Sequence, residues 1–284
     1  MRVGTRGSAL ALAQAGAVAD ALGGAEIVTI TTSGDRDRAR GDKERWVAEI
    51  DAALLRGDVD LAVHSAKDVP AQLADGIVIA AVPPRADPRD ALCGAAGLDA
   101  LEAGARVGTS SLRRAAQVRA LRADLDVTEV RGNVDTRLGK LAAGQYDAIV
   151  LARAGLDRLG RGAEATATLD ELVPAAGQGA LAVTVRAGDD AARAAVARIS
   201  DAAAYACLIA ERALVRALEA DCHTPVGAHA TVADGGLRMR AFVGRPDGAM
   251  WLRDDLAGDD PEALGAEVGR RLIAAGADRV LSAA

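Results

Sequence analysis

The four residues Arg2-Val3-Gly4-Thr5 return unchanged as Arg106-Val107-Gly108-Thr109. Each copy closes a short apolar stretch, and each is followed by serine and a helical pattern. After the first, Ser8 is placed to cap a helix with apolar positions at Leu10, Leu12, Ala15, Val18 and Leu22, stopped by Gly23-Gly24. After the second, Ser110-Ser111 opens a helix through Leu112, Val118 and Leu121. Four matching residues alone fall within chance. The shared strand–serine–helix context makes them the mark of a duplicated α/β lobe. A chain of 284 residues has room for two domains or three small ones.

The intervening texture agrees. Strands are expected at Glu26–Thr32, Asp60–Val63, Ile77–Val82, Val127–Val130, Tyr146–Leu151 and Leu181–Val185, with a helix over Arg45–Arg56. Strands alternating with helices imply βαβ units and mainly parallel sheets. After about Asp201 the pattern changes. A long helix over Ala202–Leu218 precedes three strands at Val226–Val232, Leu237–Val243 and Met250–Leu256, parted by the turn signals Asp234-Gly235-Gly236 and Pro246-Asp247-Gly248. A last helix runs from about Pro261 to Ala275. The fold class is therefore α/β, as two lobes plus a small C-terminal α+β domain. Ligands of such lobes sit beyond the C-terminal ends of the strands, in the crevice between them.

Composition narrows the function. Half the residues are hydrophobic but only 2% are aromatic, so the core is built from Ala, Val, Leu and Ile. No apolar run approaches the ~20 residues that span a bilayer, and Met1–Thr5 has no signal-peptide pattern, so a cytoplasmic location is expected. The basic residues are 31 arginines and only three lysines, Lys43, Lys67 and Lys140. Between Arg106 and Arg161 stand 11 basic and 6 acidic residues, a net +5, which leaves −11 for the rest of a chain whose total is −6. A basic stretch in an acidic protein reads as a local anion site, and no nucleic-acid surface is expected. Three cysteines without CxxC spacing and three scattered histidines imply neither disulfides nor a metal.

Several segments can carry chemistry. His64-Ser65-Ala66-Lys67-Asp68-Val69-Pro70 follows a buried strand and sets a cation beside a carboxylate at the crevice; alone, it reads equally as a solvated turn. Gly108-Thr109-Ser110-Ser111-Leu112-Arg113-Arg114 offers hydroxyls and free backbone N–H groups at a helix start. Two arginines in that first turn oppose the helix dipole, so an anion should offset them unless they are simply exposed. Arg131 and Arg137, within Arg131–Arg137, and Arg158 repeat the theme, and Arg6 holds the corresponding loop of the first lobe. Arginine forks bind carboxylates bidentately, so the implied ligand carries several carboxylates or phosphates. No GxxxxGK[ST] or GxGxxG stands in the right context for a nucleotide. Cys222 lies in Asp221-Cys222-His223-Thr224-Pro225-Val226-Gly227, where a buried, inert thiol is the plainer reading.

Taken together, HSAKDVP (64–70), GTSSLRR (108–114), RGNVDTR (131–137), GQGA (177–180) and DCHTPVG (221–227) resemble the porphobilinogen deaminases, also called hydroxymethylbilane synthases, over essentially the whole chain. The resemblance implies two lobes like those of periplasmic solute-binding proteins and a third domain bearing a cysteine. Here these would be residues 1–84 with 180–198, residues 89–174, and residues 202–284. It implies a dipyrromethane cofactor held by a thioether to Cys222, and Asp68 as the catalytic carboxylate. Arg6, Ser8, Ser65, Lys67, Thr109, Ser110, Ser111, Arg113, Arg114, Arg131, Arg137, Arg158 and Gln178 would bind cofactor and substrate. It implies that four porphobilinogen units lose ammonia, join head to tail and leave by hydrolysis as linear hydroxymethylbilane for haem and other tetrapyrroles. A cytoplasmic monomer is expected, with no nucleic-acid or membrane partner and a transient contact with uroporphyrinogen III synthase. The sequence departs from the family in one loop, usually rich in glycine and lysine with a phenylalanine. It reads here Arg38-Ala39-Arg40-Gly41-Asp42-Lys43-Glu44-Arg45-Trp46, with Lys43 matching a lysine that would also bind the ligand and Trp46 at the aromatic position. The competing reading is a non-catalytic two-lobe binder of a polycarboxylate or oxyanion; the third domain and Cys222 count against it.

Overall fold

The computed structural model describes residues 1–33, 44–221, 224–233 and 235–282. Lys43 and Cys222 lie outside the described residues, as do residues 38–42 of the departing loop. The first sheet begins with β1 (Arg2–Thr5). The chain then turns into α1 (Ala9–Ala21), where the Ser8 hydroxyl accepts from Ala11 N and meets one of the donors left over at a helix start. β2 (Glu26–Thr29) and β3 (Leu61–Ser65) flank β1 in parallel, with α2 (Glu44–Arg56) between them in sequence. β4 (Ile77–Ala81) ends the run.

The chain then crosses to a second sheet of β5 (Asp90–Cys93), β6 (Arg106–Gly108), β7 (Asp126–Thr128), β8 (Ala148–Ala152) and β9 (Ala167–Leu169). Its helices are α3 (Leu112–Leu121), α4 (Val134–Ala142) and α5 (Arg153–Arg158). It returns to the first sheet as β10 (Leu181–Arg186), which lies antiparallel between β3 and β4. The strand orders are β2-β1-β3-β10-β4 and β7-β6-β8-β5-β9. In each sheet four strands therefore run one way and one, β10 or β5, runs against them, and the repeated Arg-Val-Gly-Thr strands occupy equivalent places. The expectation of mainly parallel sheets holds for strand direction, four strands of five, but the one reversed strand makes two of the four pairings in each sheet antiparallel. The cause is the double crossing, because the first strand made after each crossing enters its sheet from the opposite end.

Helix α6 (Asp190–Ala197) leads to α7 (Ala202–Ala217), and a meander of β11 (Val226–Ala233), β12 (Gly236–Gly244) and β13 (Trp251–Gly258) follows. Helices α8 (Pro261–Ala274) and α9 (Ala277–Ser282) complete the chain. Separate buried clusters fill the three units. Val3, Leu61 and Val183 lie in the first, Leu92, Val107 and Val150 in the second, and Leu214, Met239 and Val268 in the third. Phe242, the chain's one phenylalanine, packs with Ala116 of α3 and Val173, and so seals the third unit against the second.

The two crossing segments run side by side. Ala86 N donates to Gly179 O at 3.2 Å, and Arg85 Nε to Gln178 O at 2.9 Å. A Cβ on Gly179 would stand 2.4 Å from Ala86 O, and its φ of +86° already favours glycine. Close approach also governs α7 against α8, where a Cβ on Gly265 would lie 2.1 Å from Ala210 O. Gly265→Ala should therefore cost about 1–3 kcal/mol by overpacking. Gly16→Ala, with nothing within 4 Å of the added atom, should gain about 0.5–1 kcal/mol in the middle of α1. Thermal melts of the two variants should shift in opposite directions; equal shifts would show that the α7–α8 contact is looser than described.

Candidate active site

The end of β3 delivers His64 and Ser65, and one 3-10 turn, Ala66–Asp68, follows. Val69 N closes that turn onto Ala66 O, and Arg212 of α7 donates to Pro70 O at 2.7 Å and Ala71 O at 2.9 Å. From the other side Gly177 lies so near that a Cβ there would stand 2.8 Å from the Ala66 carbonyl carbon. The turn is clamped, while the Asp68 side chain is exposed to the crevice. Asp68 lines a pocket with Arg6 and Ser8 from the β1–α1 loop, Gln14 from α1, and His64 and Ser65. Burial, aided by Arg6, pushes the His64 imidazole down to about 4. Burial also brings the Lys67 ammonium down to about 8; Arg114 and Arg113 add to this, and Asp68 and Asp90 oppose it.

The equivalent loop of the second lobe is Thr109-Ser110-Ser111. Ser111 Oγ caps α3 by accepting from Arg114 N, and Thr109 Oγ1 accepts from Ser111 N. Arg113 and Arg114 were expected to be exposed or offset by a bound anion. They are buried, and the anion is Asp90, at the start of β5. Its carboxylate accepts from Arg113 Nη1 at 2.7 Å, Arg114 Nε at 2.9 Å and Gln178 Nε2 at 2.8 Å. Burial alone would raise the Asp90 carboxyl; the two guanidiniums outweigh it and hold the group well below the usual carboxylate range. Gln178 is itself buried and donates also to Pro88 O.

Farther out, Arg137 donates to Ser110 Oγ at 3.0 Å and to Gly132 O at 2.8 Å. Arg158 donates to Gly179 O at 2.7 Å, at the crossing. Burial lowers both guanidiniums from their ordinary values, and Arg114 adds to the shift at Arg137. Arg131 stands in the open, paired with Glu129 at 2.8 Å. The structure thus brings Lys67, Asp68, Arg113, Arg114 and Gln178 together across the two lobes, with Arg137 beside them. Arg6, Ser8 and Ser65 join Asp68 from the first-lobe side. Residues that sequence reasoning missed are Asp90, Arg85, Glu211 and Arg212. None stands in a recognisable motif; the one signal was a surplus of arginines in need of partners. Among the described residues, no group of three or more His, Cys, Asp or Glu side chains is placed to hold a metal, and no helix is long and apolar enough to cross a membrane.

The donor set fits a polycarboxylate. Partly desolvated cations converge from two lobes on a crevice with one exposed carboxylate, and Ser and Thr hydroxyls stand between them. Fold and site together define a two-lobed anion-binding protein braced by a third domain. Residues 1–194 match the family model described as "Porphobilinogen deaminase, dipyromethane cofactor binding domain" and residues 205–274 match "Porphobilinogen deaminase, C-terminal domain". Relatives named porphobilinogen deaminase include those of Rubrobacter xylanophilus, 48% identical over 98% of this chain and 95% of that one, and Roseiflexus castenholzii, 48% identical over 99% and 98%. That of Thiobacillus denitrificans is 45% identical over 100% and 98%. A nutrient binding protein from Burkholderia cenocepacia bound to methionine is 15% identical, over 71% of this chain and 92% of that one, with a TM-score of 0.41. The fold assignment rests on the topology above rather than on that likeness. The chain belongs to the porphobilinogen deaminase family. It is a transferase of tetrapyrrole biosynthesis that forms hydroxymethylbilane from porphobilinogen with a dipyrromethane cofactor.

The histidines give this structure a pH signature. His229, beside Glu211 at 3.4 Å, is also pushed by burial to about 4, with Arg85 and Arg240 adding to the shift and Glu211 opposing it. Between about pH 6.5 and 4 the unfolded chain binds protons on both imidazoles that the folded chain does not. Stability should therefore be full above pH 6.5 and fall as pH drops, by up to roughly 3 kcal/mol per imidazole. Urea midpoints between pH 7 and 5 should fall less steeply in His229→Asn than in wild type; identical slopes would place the imidazole in water.

Proposed function

We propose that Asp68 is the catalytic carboxylate, that Cys222 carries the dipyrromethane, and that the cations of both lobes bind the acetate and propionate groups of the growing chain. When bound, the dipyrromethane supplies the free pyrrole α-carbon to which the first porphobilinogen unit is joined. Asp68 would accept hydrogen bonds from pyrrole N–H groups and offset the positive charge that develops as ammonia leaves the substrate. It would then take the proton released from the newly joined ring. The observation that carries this reading is the clamped turn at Ala66–Asp68, which presents one carboxylate beside Lys67, itself close to Arg113 and Arg114 of the other lobe, with Arg137 next to Arg114. A site with mobile arginines but no fixed carboxylate would suit a binder; the family assignment does not favour that alternative.

Roles for the other residues follow. Arg6, Ser8 and Ser65 would hold the incoming unit beside Asp68. Thr109, Ser110, Ser111, Arg114, Arg137 and Lys67 would hold carboxylates of units already joined, with Arg131 and Arg158 reaching the ends of the chain. Lys43, just ahead of α2 in sequence, would add a cation. Arg113 and Gln178 would serve from the interior. The other two cysteines support Cys222: Cys93 and Cys207 are buried, and burial pushes each thiol up to about 11, with Glu164 and Glu211 respectively contributing. Sheet membership supports lobes at residues 1–84 with 180–198 and at 89–174, and a third domain at 202–284. A cytoplasmic monomer, with transient contact to uroporphyrinogen III synthase, rests on the family resemblance.

Asp68→Asn keeps shape and hydrogen bonding but removes the charge. Turnover should fall on the order of 10²–10⁴-fold with an unchanged melting temperature, whereas a merely turn-capping aspartate would give the reverse. Cys222→Ser should fold without a covalent dipyrrole, while Cys93→Ser and Cys207→Ser should keep it. Peptide mapping that places the adduct on either buried cysteine would refute the assignment.

A further inference from the structure

Two arginines in the first turn of a helix repel each other and oppose its dipole, yet α3 begins Leu112-Arg113-Arg114 with both guanidiniums buried. Asp90 Oδ2 accepts from Arg113 Nη1 at 2.7 Å; Oδ1 accepts from Arg113 Nη2 at 3.2 Å and Arg114 Nε at 2.9 Å, with Arg114 Nη2 at 2.8 Å. Gln178 Nε2 reaches the same oxygen from the returning crossing segment and Pro88 O on the outgoing one. We propose that Asp90 is a positioning residue of the anion site. It does not touch substrate; it fixes where the Arg113 and Arg114 guanidiniums stand and how much positive charge they present.

The charges support this. Two guanidiniums and one carboxylate leave a single positive charge in the buried cluster, with Lys67 nearby on the first lobe. A ligand carboxylate then meets a charge already oriented, rather than a repelling pair that must be organised on binding. The bonds also divide the arginines. Arg113 uses both terminal nitrogens within the protein, on Asp90 and Val173 O. Arg113 Nε is buried without a partner, whereas Arg114 Nη1 has Val150 O at 3.2 Å and a second hydrogen to give, so Arg114 is the arginine whose terminal N–H can turn toward the crevice. Without Asp90, two neighbouring cations would stand buried and uncompensated. They would move toward water or take the ligand's carboxylate out of place. Because Gln178 and Pro88 lie on the two crossings, Asp90 also ties the arginines to the connection between the lobes.

This proposal rests on the function given above. The test compares wild type with Asp90→Asn, each made in cells that produce porphobilinogen and purified as holoenzyme. Intact mass gives the fraction carrying the dipyrrole, and turnover is normalised to that fraction. Asp90→Asn should show cooperative melting, covalent loading lowered at least about fivefold, and a KM for porphobilinogen raised about tenfold, with kcat changed by less than about threefold. In an Arg114→Lys background, where the fork that can reach the crevice is gone and Asp90 keeps only Arg113 of its two arginines, the same substitution should raise KM by less than about twofold. Wild-type loading and KM in Asp90→Asn would overturn the proposal. An equal rise in both backgrounds would also overturn it, because Asp90 would then act independently of Arg114. If Asp90→Asn does not fold, Asp90→Glu decides, since it keeps every charge and displaces the oxygens that hold both guanidiniums. A KM raised about threefold at constant kcat supports the proposal, and an unchanged KM overturns it. Failure of the functional reading looks different: wild type itself would carry no dipyrrole, and this proposal would fall with it.

Discussion

The fully buried carboxylate of Glu211, on α7, is the point where the three units of the molecule meet. It accepts from Arg85 Nη1 at 2.6 Å and Nη2 at 3.1 Å, from Gly177 N at 2.6 Å and from Ala230 N at 2.8 Å. Arg85 and Gly177 lie on the two crossing segments, so one side chain of the third unit sets their spacing. A buried ion pair of this kind contributes little net stability, because desolvation offsets the attraction. Breaking it would leave an uncompensated charge at a cost of about 3–5 kcal/mol. What it supplies is location. The next residue, Arg212, holds the carbonyls of Pro70 and Ala71, directly after the turn that presents Asp68. One stretch of α7 therefore positions both the connection between the lobes and the carboxylate at its centre.

The preference for arginine over lysine acquires a structural sense from such bonds. A guanidinium offers five donors in a plane and can join separate chain segments, which an ammonium on a flexible stem does poorly. Arg122 binds the carbonyls of Leu98 and Leu101 as well as Asp124, and Arg186 binds those of Leu54 and Val59. Arg119 ties α3 to the β12–β13 turn through Pro246 O. A basic stretch that reads as one anion site thus contains two populations: cations that face the crevice, and cations that brace the backbone.

The repeated strand–serine–helix unit was legible because its signals are local. Ser8 and Ser111 cap the helices that follow them, and both copies of the strand lie at equivalent sheet positions. The motif residues Lys67, Asp68, Arg113 and Arg114 were legible as a group for the same reason. What stayed hidden depends on partners far apart in sequence. β5 and β9 are short and lack alternation, so they gave no strand signal, and the antiparallel pairings of the second sheet stayed hidden with them; in the first sheet β10 was legible as a strand but its direction, set by the return crossing, was not. Asp90 lies 23 residues before Arg113 and 88 before Gln178, and only folding brings the three together. Arg131, next to the other arginines in the motif, turns instead to Glu129, two residues away.

A crystal structure of the holoenzyme tests most directly whether both lobes serve a single carboxylate. The pyrrole nitrogens should lie within about 2.7–3.2 Å of the Asp68 carboxylate, with ring carboxylates on Arg114, Arg137 and Lys67 and with Arg113 still held by Asp90. Pyrrole nitrogens directed away from Asp68, or carboxylates left in solvent while those cations stay paired within the protein, would contradict it.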